Sequence, residues 1–542
     1  MSINFENIIK MKYSYLNLMR KVIHKIAHSK YASSFFGSNN ISANFILKKL
    51  NLFQRKLIKF KDPNIDIEKN NNDYIAQYSD LQKPGEKFQY LSGVSESVKM
   101  KDFNSVAGWV PYEKGNTEIS IYNFFSKNYS IRKQLIGTIC FVRDQKIVLQ
   151  KWFLLPVDCV KFLNFKSLDL NADFVLVEIF HPKIPKNHGG NNGHLRFHVT
   201  FGNNSAIVHS RSLKNFYYKK NYLRSSRRYF PKWILNTTIK YEISTTSPFE
   251  KQKTYNTVHN NLFGDYSLKT LSPLGFSLIK TEKNCSINNL TISSVFHDSA
   301  LLDGDHKPKF RHQLISIPKI KNINATIYFT EAISKKENIS ITFYNLKNKK
   351  VKNCILEIEK SDEVNLMELY KTNIEDISFV IVEFLDFNKS YHSGYIGVFY
   401  SIDDRLCDNV HALQLEDQRC LKDYQTIEHN NQYSGLKWMP FPEQEKFKSY
   451  MSIINGTYPL NFKLRVILDN FEEYIVPYSD KYSIDSLGQI SISLKDIFND
   501  YSISLKSRGI IQLECKNYNP PATLFTYSEE NQSLSVDHFT GG

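Results

Sequence analysis

Acidic residues are nearly missing from two stretches of this chain. Residues 1–61 hold 12 Lys or Arg against Glu6 alone, and residues 210–232 hold eight against none. These stretches carry +11 and +8 of a chain whose total is +16, so the remainder nets −3. Basicity gathered in this way suits an acidic partner, a nucleic acid or a lipid surface, set against the plainer reading of a solvated helix and a solvated loop. Long apolar runs are also lacking. None reaches 18 residues, so no membrane-crossing helix is expected, and the first residues lack the apolar core and small-residue cleavage site of a secretory signal. The cytoplasm is the expected location, with unconventional export left open. The seven cysteines show no CxxC spacing, which favours reduced, buried thiols over a disulfide framework. No GxxxxGK[ST], no GxGxxG after a strand, no GxSxG, no HExxH and no kinase set occurs, which lowers the standing of nucleotide-driven and common hydrolytic enzymes.

Gly (21) and Pro (17) are modest in number, whereas Tyr (32) and Phe (38) are abundant, a balance that suits strands better than long helices. A length of 542 residues exceeds one ordinary core and favours several domains. Residues 3–27 and 42–59 space their apolar side chains at three- and four-residue steps and are expected to form basic amphipathic helices. His24 and His28, four apart on the first, lack a third ligand nearby and read as solvated or core-edge residues. The segment 67–72, IEKNNN, reads as a linker.

Beyond Gly108 short apolar runs alternate with Gly, Asn and Asp, as in an all-β chain. One of them is written twice: FVLVEIF at 174–180 and FVIVEFL at 379–385. Such a run is apolar on both faces and belongs in the middle of a sheet covered on both sides. The single carboxylate in it needs a partner or a strand end, an ion pair being the leading choice over a recurring ligand contact. Flanking runs recur in the same order around IIQLEC (510–515), which gives three units. Glu178, Glu383 and Glu514 are equivalent, and His209, His411 and His538 follow them by 31, 28 and 24 residues. The expected architecture is therefore mainly β: tandem β-sandwich-like domains, about three repeats, after a basic α-helical N-terminal region. The boundaries are 1–72 for the helical region and linker, 100–212 for the first unit, and 213–310 for an insertion or diverged β domain. The second unit spans 311–413, a linker 414–437, and the third unit 438–542.

Three clusters carry candidate chemistry. HDSALLDGDHKPKFRH, 297–312, brings His297, Asp298, Asp303, Asp305 and His306 together, side chains suited to a divalent metal, although the spacing also reads as a polar connection. The 181–198 segment holds four histidines and reads as a hairpin tip with strand histidines. Residues 210–233 interleave cations with rings; Arg211, Tyr217, Tyr218, Tyr222, Arg227 and Arg228 could grip phosphates, stack on bases or pack on sugar faces. His209, His411 and His538 would meet only if the units surrounded a pseudo-threefold axis; otherwise each marks one edge per unit.

The leading functional expectation is a non-enzymatic multi-domain recognition protein with a glycan or glycoconjugate as first-choice ligand. A metal-dependent enzyme acting on a carbohydrate or phosphate ester is one alternative. Nucleic-acid or membrane-surface association through 1–61 and 210–232 is the other. No cofactor is required, a divalent metal is an option, and the oligomeric state is open.

Overall fold

The computed structural model describes segments within residues 103–212, 242–288, 312–415 and 435–541. Residues 1–72, expected from the sequence to hold basic helices, and most of the 210–233 and 297–312 clusters lie outside the described residues. In chain order the first unit contains β1 (Phe103–Pro111), β2 (Thr117–Tyr122), β3 (Leu135–Arg143), β4 (Lys146–Leu155), β5 (Val160–Asn164), β6 (Phe174–Pro182), β7 (Arg196–Phe201), β8 (Asn204–His209) and β9 (Arg211–Ser212). The insertion contributes β10 (Glu242–Ser247), β11 (Glu250–Asn256), β12 (Phe276–Lys280) and β13 (Cys285–Asn288).

The second unit runs β14 (His312–Ser316), β15 (Ile323–Phe329), β16 (Glu337–Asn345), β17 (Lys350–Ile358), β18 (Glu363–Asn365), α1 (Leu366–Tyr370), β19 (Ile377–Phe384), β20 (Ile396–Ile402), β21 (Arg405–His411) and β22 (Leu413–Leu415). The third runs β23 (Gly435–Phe441), β24 (Lys448–Ile454), β25 (Phe462–Leu468), β26 (Glu473–Val476), β27 (Gln489–Ser493), α2 (Leu494–Asp500), β28 (Gly509–Cys515), β29 (Ala522–Ser528), β30 (Ser533–His538) and β31 (Thr540–Gly541).

Every unit has the same topology. Its five-stranded antiparallel sheet places strands in the order fourth, third, sixth, first, ninth, and its four-stranded sheet in the order fifth, second, seventh, eighth. The repeated runs FVLVEIF and FVIVEFL are β6 and β19, each the central strand of a five-stranded sheet, and β28 holds that place in the third unit. Centrality follows from composition, because only a strand apolar on both faces is stable where a second layer covers each side. The strand carboxylates differ in setting. Glu514 pairs with Lys463 at 2.7 Å and Glu383 faces His312 at 3.8 Å. Glu178 is only 2% exposed and pushes up the already desolvated Cys140 thiol beside it. The insertion folds a separate four-stranded sheet, β11-β10-β12-β13.

Two short helices fill the connection before the sixth strand in the second and third units. Asn365 caps α1 by accepting from the Met367 and Glu368 amides, and Ser493 caps α2 by accepting from Asp496. Both are too brief to write a helical period in the sequence.

The core of each unit is not private. Trp438, Ile467 and Ile510 of the third unit belong to the first unit's apolar cluster, and Phe525, Leu534 and Val536 to the second's. The last unit in sequence is thus the middle one in space. It joins its neighbours head to tail. Tyr122 on the first unit's four-stranded sheet meets Trp438 and Gln512 on the third unit's five-stranded sheet. In the same sense Ser452 and Ile454 on the third unit's four-stranded sheet meet Ser316 and Leu314 on the second unit's five-stranded sheet.

Candidate functional site

The polar cleft between the first and third units is built from the outward side of β2, β5 and β7 and from the chain just before β28. Glu118, Ser120, Phe162, His198, Thr200, Pro442, Glu443 and Arg508 line it. Arg508 lies over the Phe162 ring, 3.9 Å from its centroid, and its Nη1 donates to Glu118 Oε2 at 2.7 Å. Its Nη2 is 3.8 Å from Glu443 and its Nε 3.7 Å from Asp469. Glu118 also accepts from Thr200 Oγ1 and from Asn164 Nδ2, both at 3.3 Å. Burial pushes the Asp469 carboxyl up and Arg508 partly counters it.

His198, 2% exposed, lines the same cleft, and its Nε2 has no protein partner. Burial first, and Arg508 second, push its pKa down to about 3, so the imidazole is neutral across the physiological range. A general base at neutral pH needs a pKa near 7. The free space is about 10 Å³, roughly that of one water molecule. The arrangement can hold a water among His198, the hydroxyls and Glu118, and it fixes the two units in register; it has no room for an organic substrate.

A second junction lies where the eighth strands come together. β30 packs against both β8 and β21, and β13 of the insertion touches all three. Arg196, buried in β7, reaches the third unit: its Nε is 3.3 Å from Asp537, its Nη1 donates to the His538 carbonyl, and its Nη2 is 3.1 Å from His538 Nε2. Burial pulls the guanidinium below the ordinary arginine value, opposed by Asp537. Toward the second unit, Asp408 accepts the Val536 amide at 2.8 Å, and Cys407 and Arg405 reach Gln532.

His209, His411 and His538 each end the eighth strand of their unit. His538 Nδ1 is 3.1 Å from the Phe539 carbonyl, and its Nε2 meets Arg196, the register partner of His209. For His209 and His411 the strand position is described and the side chain is not. Arg211 is in β9, opposite Ala107. Tyr217, Tyr218, Tyr222, Arg227, Arg228, His297, Asp298, Asp303, Asp305 and His306 lie outside the described residues. Among the described residues no group of three or more His, Cys, Asp or Glu is placed to hold a metal. Sequence reading missed the Arg508 cleft: its cation and its carboxylate partner on β2 are separated by 390 residues, and no local pattern links them.

No protein-family model and no curated protein matches the chain. Two solved structures of Bacteroides uniformis β-glucuronidases align with it at 10% identity, one of them β-glucuronidase 2 covalently bound to cyclophellitol-6-carboxylate aziridine. Each alignment covers 46% of this chain and 30% of the other, with TM-scores of 0.11 and 0.10. This chain thus spans about a third of their length, and a likeness at that level carries no argument about activity. Among the described residues no helix is long and apolar enough to cross a membrane.

Proposed function

We propose that the protein works by recognition, presenting three copies of one β-sandwich as a single body, with a glycan or glycoconjugate as the ligand class. The observation that carries this reading is the repeated nine-strand topology in three units that share their cores. Rigidly spaced copies suit multivalent binding, in which each further contact is made at high effective concentration. The aromatic side chains expected from the sequence to pack on pyranose faces are Tyr217, Tyr218 and Tyr222, which lie outside the described residues. The cleft between the first and third units supports the non-catalytic part of the reading, because its histidine is a poor base and its space holds one water.

A thermal-shift panel on the full chain tests this, since a ligand that binds only the folded state raises its stability. Stabilisation by a glycan class supports it. Stabilisation by short oligonucleotides that collapses with added salt would instead favour the basic segments as the working surface. Stabilisation by a divalent metal, reversed by chelator and lost in a His297→Ala, Asp305→Ala variant, would favour the metal-dependent alternative.

A further inference from the structure

The third unit meets the second through the outward side of its four-stranded sheet, and two tyrosines stand at the margin of that contact. Tyr450 on β24 and Tyr527 on β29 alternate with Met451 and Leu524, which belong to the third unit's own core, so both rings face outward. They pack against the second unit's apolar cluster, yet each stays half-buried. In the register of the two strands Tyr450 faces Phe525 and Lys448 faces Tyr527. The two tyrosines are therefore diagonal neighbours on one surface, about 7 to 8 Å apart.

Their surroundings are polar. Lys448 and Glu529 form an ion pair at the same rim. Asp496, in the first turn of α2, brings its charge beside Tyr450, and Asp403, in the turn between β20 and β21 of the second unit, brings its charge beside Tyr527. Neither phenol has a hydrogen-bond partner among the described residues. Burial, ahead of these charges, raises both phenol pKa values, so at neutral pH each hydroxyl keeps its proton and can donate as well as accept. The counterpart of this margin, between the first and third units, is plugged. There Ser120 and Thr200 hold the matching positions, and Arg508 reaches across to fill the space. The second unit has Ile377 six residues before Glu383, where the third has Arg508 six before Glu514, and Ile377 is buried in its own core.

Two neighbouring aromatic rings bordered by carboxylates, an ammonium and hydroxyls match one ligand chemistry. The C–H face of a pyranose carries partial positive charge and packs on the electron-rich face of a ring, while its hydroxyls need donors and acceptors at the rim. A nucleic-acid base would stack equally well, but its phosphates would meet Asp403, Asp496 and Glu529 against the single cation Lys448. We propose that Tyr450 and Tyr527 form a saccharide-binding platform at the junction of the third and second units, with Lys448, Glu529, Asp496 and Asp403 bonding the hydroxyls of an uncharged sugar chain. The platform rests on the recognition reading above and gives it a place on the described surface.

Isothermal titration of the full chain with neutral tetrasaccharides of glucose, mannose, galactose and xylose is the test. The expected result is binding of at least one of them, with Tyr450→Ala and Tyr527→Ala each raising its Kd at least tenfold. Tyr450→Phe and Tyr527→Phe keep the rings and should lose less than the alanine variants. Because an alanine at either place can loosen the junction, Asp496→Asn and Glu529→Gln on the exposed rim give a second reading: each should weaken binding severalfold and leave the unfolding temperature unchanged. A tetrasaccharide bound with wild-type affinity by the Tyr450→Ala, Tyr527→Ala double variant puts the glycan elsewhere, which overturns the platform and leaves the recognition reading standing. Wild-type affinity in both rim variants overturns it as well. Failure of all four tetrasaccharides to bind the wild-type chain overturns the platform, and stabilisation by no glycan in the thermal-shift panel would take the recognition reading with it.

Discussion

Arg508 is held between carboxylates drawn from two units, so its removal takes away the cation that Glu118, Glu443 and Asp469 share, while Glu443 keeps Lys446 at 3.2 Å. Breaking a partly buried ion pair by deleting one partner costs about 2 to 4 kcal/mol at a site as enclosed as this one. Arg508→Met should lower stability toward denaturant by that order. Combination with Glu118→Gln should lose less than the sum of the single changes, because the two residues share one interaction. A loss under about 0.5 kcal/mol in Arg508→Met would show that the cluster does not hold the units together. His198 makes a prediction of opposite character. Its folded pKa of about 3 lies below the unfolded value of about 6.5, so the unfolded chain takes up the proton first as pH falls. The neutral form's contribution is complete above pH 6.5 and is lost progressively below it, at up to about 1.4 kcal/mol per pH unit. The charged groups facing it are Arg508 and, through Arg508, Glu118, Glu443 and Asp469. Denaturant titrations at pH 6.5 and 4.5 should therefore show a larger drop for the wild type than for His198→Gln; equal drops would refute the assignment.

At the level of elements, the central strands tolerate little added volume. Gly509 opens β28 where a Cβ would sit 2.0 Å from the Ile467 carbonyl oxygen, a backbone atom that cannot turn aside. Gly509→Ala should shift β25 and β28 apart and cost on the order of 3 kcal/mol, at the upper end of overpacking effects. A soluble variant with wild-type stability would mean that the two strands are spaced more widely than described. Gly137 is tight for another reason: the atoms in the way belong to the Phe153 ring, a side chain that can rotate, so the same substitution there should cost less. Trp438 on β23 is fully buried at the junction with Tyr122, and Trp438→Ala should cost about 3 to 5 kcal/mol.

For the whole molecule, shared cores imply shared unfolding. Because third-unit residues complete the apolar clusters of both neighbours, the described units should melt as one cooperative transition, coincident by near-ultraviolet and far-ultraviolet circular dichroism. Trp438→Ala should move that transition as a whole. A split into separate transitions, with the second unit unaffected, would show that the junctions are weaker than the packing implies. The head-to-tail mode also gives the eighth strands their common meeting place, with β13 of the insertion touching all three. The insertion is thereby tied to the repeats instead of standing apart from them.

The sequence by itself determined the β class, the threefold repetition and the identity of the central strands. These are local properties: FVLVEIF is apolar on both faces wherever it is placed, and alternation assigns faces without reference to distant residues. It did not reveal the β14 and β26 strands, which are short, or the helices α1 and α2, which are held by capping side chains and by packing. Nor did it reveal which sheet face meets which. The contact of Arg508 with Glu118, the neutrality of His198 and the central position of the last unit depend on side chains hundreds of residues apart coming within a few ångströms. A linear pattern records the faces that each strand offers; only the docking of whole units decides which of those faces are buried together, because that choice is made by shape and charge summed over entire sheets.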